Sequence, residues 1–68
     1  MRLIRLHELL HKVGLSRAQI YNMCHNNLFP KPISLGAKAV AWHEDEIDDW
    51  MMSKVRQRDA RVGLWSIE

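Results

Sequence analysis

The sequence predicts a mainly α fold, a small winged helix-turn-helix in the order helix, helix, β-hairpin, helix. Three observations carry it. Leu6, Leu9, Leu10 and Val13 recur at helical spacing and stop at Gly14, a residue suited to the left-handed backbone that closes a helix. Ser16, with Gln19 three positions on, forms a capping box that opens a second helix at once. Two short apolar runs, Ile33-Ser34-Leu35 and Ala39-Val40-Ala41-Trp42, flank Gly36-Ala37-Lys38 and read as a hairpin.

The first helix is expected from Leu6 to Val13, its apolar stripe inward. The second runs from Ser16 to about Asn26, turning Ile20, Met23, Cys24 and Asn27 inward and Arg17, Gln19, Asn22 and His25 outward. Phe29-Pro30-Lys31-Pro32 cannot be helical, because the residue before each proline is pushed to extended geometry. The hairpin forms the wing. A third helix follows from Glu44 to about Arg58, with carboxylates at its start and basic residues at its end, as the helix dipole favours. Its inward face is Ile47, Trp50, Met51, Lys54 and Val55. Arg2 to Arg5 stays open between a short strand beside the wing and an irregular lead-in.

With 68 residues there is room for one core, and 47% hydrophobic residues with three tryptophans argue for a folded chain. Residues 1–58 are expected to form the domain and 59–68 a tail, in which Leu64, Trp65 and Ile67 fold back or dock on a neighbouring subunit. The single Cys24 has no partner within the chain and suits a reduced cytosolic setting. The residues after Met1 lack the apolar run of a signal peptide, and no segment is built to span a bilayer, so no membrane is expected as a partner. Charge is unevenly spread. Residues 1–41 carry Arg2, Arg5, Lys12, Arg17, Lys31 and Lys38 against Glu8 alone, whereas 42–53 hold five carboxylates and no Lys or Arg. A polyanion would meet the first region and avoid the second.

Double-stranded DNA is therefore the expected partner. Arg17, in the first turn of the second helix, suits a bidentate grip on a phosphate or a guanine edge. Ala18, Gln19 and Asn22 share the reading face; Asn22 can pair with an adenine edge, while Gln19 is also claimed by its cap. Tyr21 either offers its hydroxyl to a phosphate or covers the turn with its ring, and His25 is a lesser phosphate contact. Lys31, Lys38 at the wing tip and Arg5 suit the DNA backbone, adding salt dependence rather than sequence choice. Trp42 and Trp50 read as core rather than stacking platforms.

No cofactor or metal is expected. His7 and His11 are spaced for one metal but lack a third ligand, and Cys24, His25 and His43 show no ligand spacing. The carboxylates from Glu44 to Asp49 are explained as a helix start. Neither a nucleophile with its base nor a phosphate loop is present, so the chain is not expected to be an enzyme.

Leu15-Ser16-Arg17 with Ile20-Tyr21, then Phe29-Pro30-Lys31-Pro32, Leu35-Gly36, and Ala39-Val40-Ala41-Trp42 with Glu46-Ile47 and Trp50, resemble the AlpA family. These are short prophage-encoded regulators related in fold to MerR-type helix-turn-helix proteins and phage excisionases. The ordered set spans residues 2–58. The resemblance implies a bacterial, nucleoid-associated transcriptional activator of a prophage or genomic island, controlling integration or excision genes. A single small module recognises few base pairs, so self-association on repeated sites or a partner protein, RNA polymerase or an integrase, is expected as well. The chain departs from the family's pattern at Gln19, where serine or threonine is usual, and at Asn22, where a basic residue is usual. Two alternatives accompany this reading: an excisionase-type DNA-bending factor, and a protein-binding adaptor using the acidic helix and apolar tail.

Overall fold

In the computed structural model, which describes residues 1–60, the chain runs β1 (Leu3–Ile4), α1 (Leu6–Val13), α2 (Arg17–His25), β2 (Ile33–Gly36), β3 (Ala39–His43) and α3 (Glu44–Ala60). The predicted winged helix-turn-helix is present, with one element added at the front.

The turn between α1 and α2 is built as its residues demand. Gly14 sits at φ +74°, and its N–H donates to the Leu10 carbonyl at 2.9 Å. A side chain at that φ would be strained, which is why glycine closes the helix. Ser16 Oγ then accepts the Gln19 N–H at 3.2 Å, and Gln19 Oε1 accepts the Ser16 N–H at 2.9 Å. Two otherwise orphaned donors at the start of α2 are thus satisfied within one turn.

The exit from α2 corrects one expectation. Asn27 does not turn inward; it is exposed and adopts φ +60°. Its N–H donates to Cys24 O at 3.2 Å, and the Leu28 N–H reaches back to Met23 O at 2.8 Å. That paired 5→2 and 6→1 pattern is a Schellman motif, with asparagine in the left-handed position that glycine commonly fills.

The sheet has the order β1-β3-β2, antiparallel throughout. β1 resolves the open question about the N-terminus: Leu3 pairs with His43 and Ile4 with Trp42, so the lead-in is a strand. β2 and β3 form the wing, with Ile33 opposite Ala41, Ser34 opposite Val40, and an irregularity between Ser34 and Gly36. Among the described residues, Ile4, Leu9, Ile20, Cys24, Phe29, Trp42 and Ile47 make the core, drawn from both sides of the sheet-forming and helical segments. Each buried Ile or Leu contributes about 1.5–3 kcal/mol relative to exposure.

Both core tryptophans also hold the segment after α2. The Trp42 indole N–H donates to Pro30 O at 3.0 Å, a carbonyl shared with the Cys24 thiol at 3.6 Å. Burial pushes the Cys24 thiol up from its ordinary pKa. The Trp50 indole N–H donates to Leu28 O at 2.9 Å, and its ring meets Phe29 edge-on, centroids 4.7 Å apart. The proline-bounded segment is therefore fixed by non-local bonds.

α3 packs through Ile47, Trp50 and Met51 and then runs past the body. Lys54 and Val55, expected inward, are exposed, since no other described element packs on that turn; the Lys54 ammonium instead lies 5.4 Å from the Trp50 ring centroid. The apolar tail residues Leu64, Trp65 and Ile67 lie outside the described residues. Among the described residues no helix is long and apolar enough to cross a membrane.

Candidate nucleic-acid interface

Four parts of the chain present the residues predicted to meet DNA. Arg17, Ala18, Gln19, Tyr21, Asn22 and His25 all sit exposed on α2. Ile20 and Cys24 bury the opposite side of that helix, so the outward orientation of the polar set follows from packing. Lys38 lies in the turn between β2 and β3, Lys31 in the pinned segment after α2, and Arg5 at the N-cap of α1.

Side-chain bonds within α2 limit what two of these residues can offer. Gln19 Oε1 is committed to its cap, leaving the amide N–H groups of that side chain facing outward. Asn22 Oδ1 accepts from Asn26 Nδ2 at 3.3 Å, and the Asn22 carbonyl accepts from the same amide at 3.0 Å. A bidentate contact from Asn22 to adenine would have to displace the first of these exposed bonds.

The fold brings Arg5, Tyr21 and Lys38 together. They line one open groove of about 300 Å³, together with Leu6, His7 and Val40. The Tyr21 ring lies 6.5 Å from that of Trp42 between centroids, and the residue is 43% exposed. Arg17, His25 and Lys31 do not line this groove. His7 does, and residue-by-residue reading missed it; its position two residues after Arg5 at a helix start was the available signal.

Electrostatics sorts the basic residues into two groups. The Arg2 guanidinium is paired with Glu8 and lies 3.1 Å from Glu44. The Lys12 ammonium sits 2.9 Å from Glu44 and 3.0 Å from Asp48. The hydrogen bond from Lys12, with the charges of Lys12 and Arg2, holds the Glu44 carboxyl below the usual carboxylate range. Hydrogen bonds to Glu44 and Asp48 push the Lys12 ammonium above its ordinary value. These two cations, counted by sequence as part of the basic region, are therefore balanced by the acidic start of α3. Arg5, Arg17, Lys31 and Lys38 have no carboxylate partner among the described residues.

Among the described residues no group of three or more His, Cys, Asp or Glu side chains is placed to hold a metal ion. Trp42 is fully buried and Trp50 half-buried, so the fold uses both for packing.

The model of the family described as prophage CP4-57 regulatory protein (AlpA) matches residues 2–55. An uncharacterized protein, ORF88 of Enterobacteria phage P4, is 40% identical over 57 residues, covering 84% of this chain and 65% of the phage protein. The DNA-binding transcriptional activator AlpA of Escherichia coli strain K12 is 36% identical over 62 residues, covering 82% of this chain and 89% of the activator. The chain thus spans less than two thirds of the phage relative. The family match covers every element of the winged helix-turn-helix except the last turns of α3, and the chain belongs to the AlpA family of prophage regulatory proteins.

Proposed function

We propose that this chain is a DNA-binding transcriptional regulator of a prophage or genomic island that activates integration or excision genes. α2 enters the major groove of duplex DNA with Arg17, Ala18, Gln19 and Asn22 toward base edges. Lys38 on the wing, together with Arg5, Lys31, Tyr21 and His25, holds the flanking backbone.

One observation carries this reading above the others. Among the described residues, Arg5, Arg17, Lys31 and Lys38 have no carboxylate partner, as is also true of Lys54 and Arg56 in the later turns of α3, while Arg2 and Lys12 are neutralised by Glu8 and the acidic start of α3. A polyanion is thereby directed to the helix-turn-helix face and kept from the acidic helix. The likeness to an E. coli protein described as a DNA-binding transcriptional activator supports the same reading. A single module of this size reads few base pairs, so specificity calls for several copies on repeated sites, or for RNA polymerase or an integrase alongside.

Selection from a random duplex pool at physiological salt tests the proposal. An enriched motif, with repeats at defined spacing, is the expected result. Recovery of no motif by folded protein, with affinity insensitive to salt, would count against DNA as the partner.

A further inference from the structure

The groove between the start of α1, the middle of α2 and the hairpin turn has a lining of one chemical character. Its polar members are the Arg5 guanidinium, the His7 imidazole, the Tyr21 phenol and the Lys38 ammonium, and no carboxylate is among them. Leu6 and Val40 supply its apolar walls. The polar groups come from three separate parts of the chain and meet only in the folded domain.

We infer that this groove seats one backbone phosphate of duplex DNA and that His7 is a contact residue, its imidazolium completing the seat. The inference rests on the DNA-binding reading and adds to it a residue and a protonation step. Arg5 and Lys38 supply charge and the Tyr21 hydroxyl donates a hydrogen bond. Histidine is the side chain whose charge changes under mild conditions, so a phosphate that prefers the charged ring couples binding to proton uptake. Around His7 the groove is lined by Arg5, which precedes its helix, Tyr21 of α2 and Lys38 of the hairpin turn; the two cations oppose a charged ring until an anion in the groove offsets them. On α1 itself Glu8 is held by Arg2, and His11 lies a turn further on, outside the groove lining.

Binding that takes up a proton is strongest at low pH, and the gain is lost as pH rises through the titration of the bound ring. A backbone contact is independent of sequence, so a labelled random-sequence duplex suffices as the probe. Anisotropy at constant ionic strength should show the wild-type protein binding about three- to tenfold more tightly at pH 6 than at pH 8. In a His25→Gln background, which silences the other histidine proposed to meet the DNA backbone, His7→Gln should remove that response, and His11→Gln should keep it. A response equal in His7→Gln and wild type, or none in wild type, overturns the inference and leaves DNA binding intact. Inorganic sulfate, dianionic throughout this range, gives a readout without DNA. Its titration should shift the NMR signals of His7 and Tyr21 saturably. Unmoved signals overturn the seat, whereas saturable shifts in a protein with no duplex affinity sustain the anion seat and overturn the DNA reading.

Discussion

Arg17 is the proposed contact whose loss should cost the fold least. It lies exposed in the first turn of α2 and has no ion-pair partner among the described residues, so its loss removes no packing. Arg17→Ala should weaken duplex affinity by about 1–3 kcal/mol, roughly tenfold or more, while the circular dichroism spectrum stays unchanged. Unaltered affinity would remove Arg17 from the contact set. Ile20, three residues on, is its opposite. It is 0% exposed in the middle of the core, and Ile20→Asp would bury an unpaired carboxylate. Loss of helical signal at room temperature is the expected outcome, and a variant that keeps full helicity would contradict the packing of α2. Both assignments were legible in the sequence, because a capping box fixes where α2 starts and its period then fixes which residues face in. The pairing of Arg2 and Lys12 with Glu44 was not legible. It joins residues 42 and 32 positions apart, and no local pattern signals such a contact.

The ends of α2 were read with unequal success for a related reason. Its start carries its signal in side-chain type, as Ser16 and Gln19 at fixed spacing. Its end depends on Asn27 adopting a backbone conformation that asparagine only tolerates. Asn27→Gly should therefore raise stability, by about 0.5–1 kcal/mol, and Asn27→Ala should lower it by about 1 kcal/mol. Urea midpoints measured together test this pair; an alanine variant as stable as glycine would mean the left-handed turn is not held in solution. The same contrast separates the strands. The hairpin announces itself through apolar runs around a glycine-containing tip, whereas β1 is two residues long and exists only by pairing with β3. A two-residue strand has no period to detect. The segment between α2 and β2 was correctly read as non-helical from its prolines. What fixes it is the pair of indole N–H bonds from Trp42 and Trp50 to carbonyls far away in sequence. Those bonds place Lys31 on the same rigid frame as α2, which is what a backbone contact needs.

At the scale of the whole molecule, the Arg2–Glu44–Lys12–Asp48 network ties the N-terminus, α1 and α3 together. Its dependence on pH has a definite sign. Glu44 is held below its ordinary value of 4.5, chiefly by the hydrogen bond from Lys12, so its stabilising effect is complete above that value and is lost as pH falls through the folded-state titration. Lys12 is raised above its ordinary 10.5, chiefly by the hydrogen bond to Glu44, so its contribution is complete below that value and is lost as pH rises beyond it. Thermal melts across pH should therefore show a plateau bounded by an acid limb and an alkaline limb. Glu44→Gln removes the leading partner of Lys12 and should lower the plateau while flattening both limbs. An acid limb of unchanged steepness in that variant would mean other carboxylates carry it. Arg5 and Lys38, left out of the network, would then answer to the DNA phosphate alone. Neither Glu44 nor Lys12 changes charge between pH 6 and pH 8, so a change in duplex affinity in that window does not arise from this network.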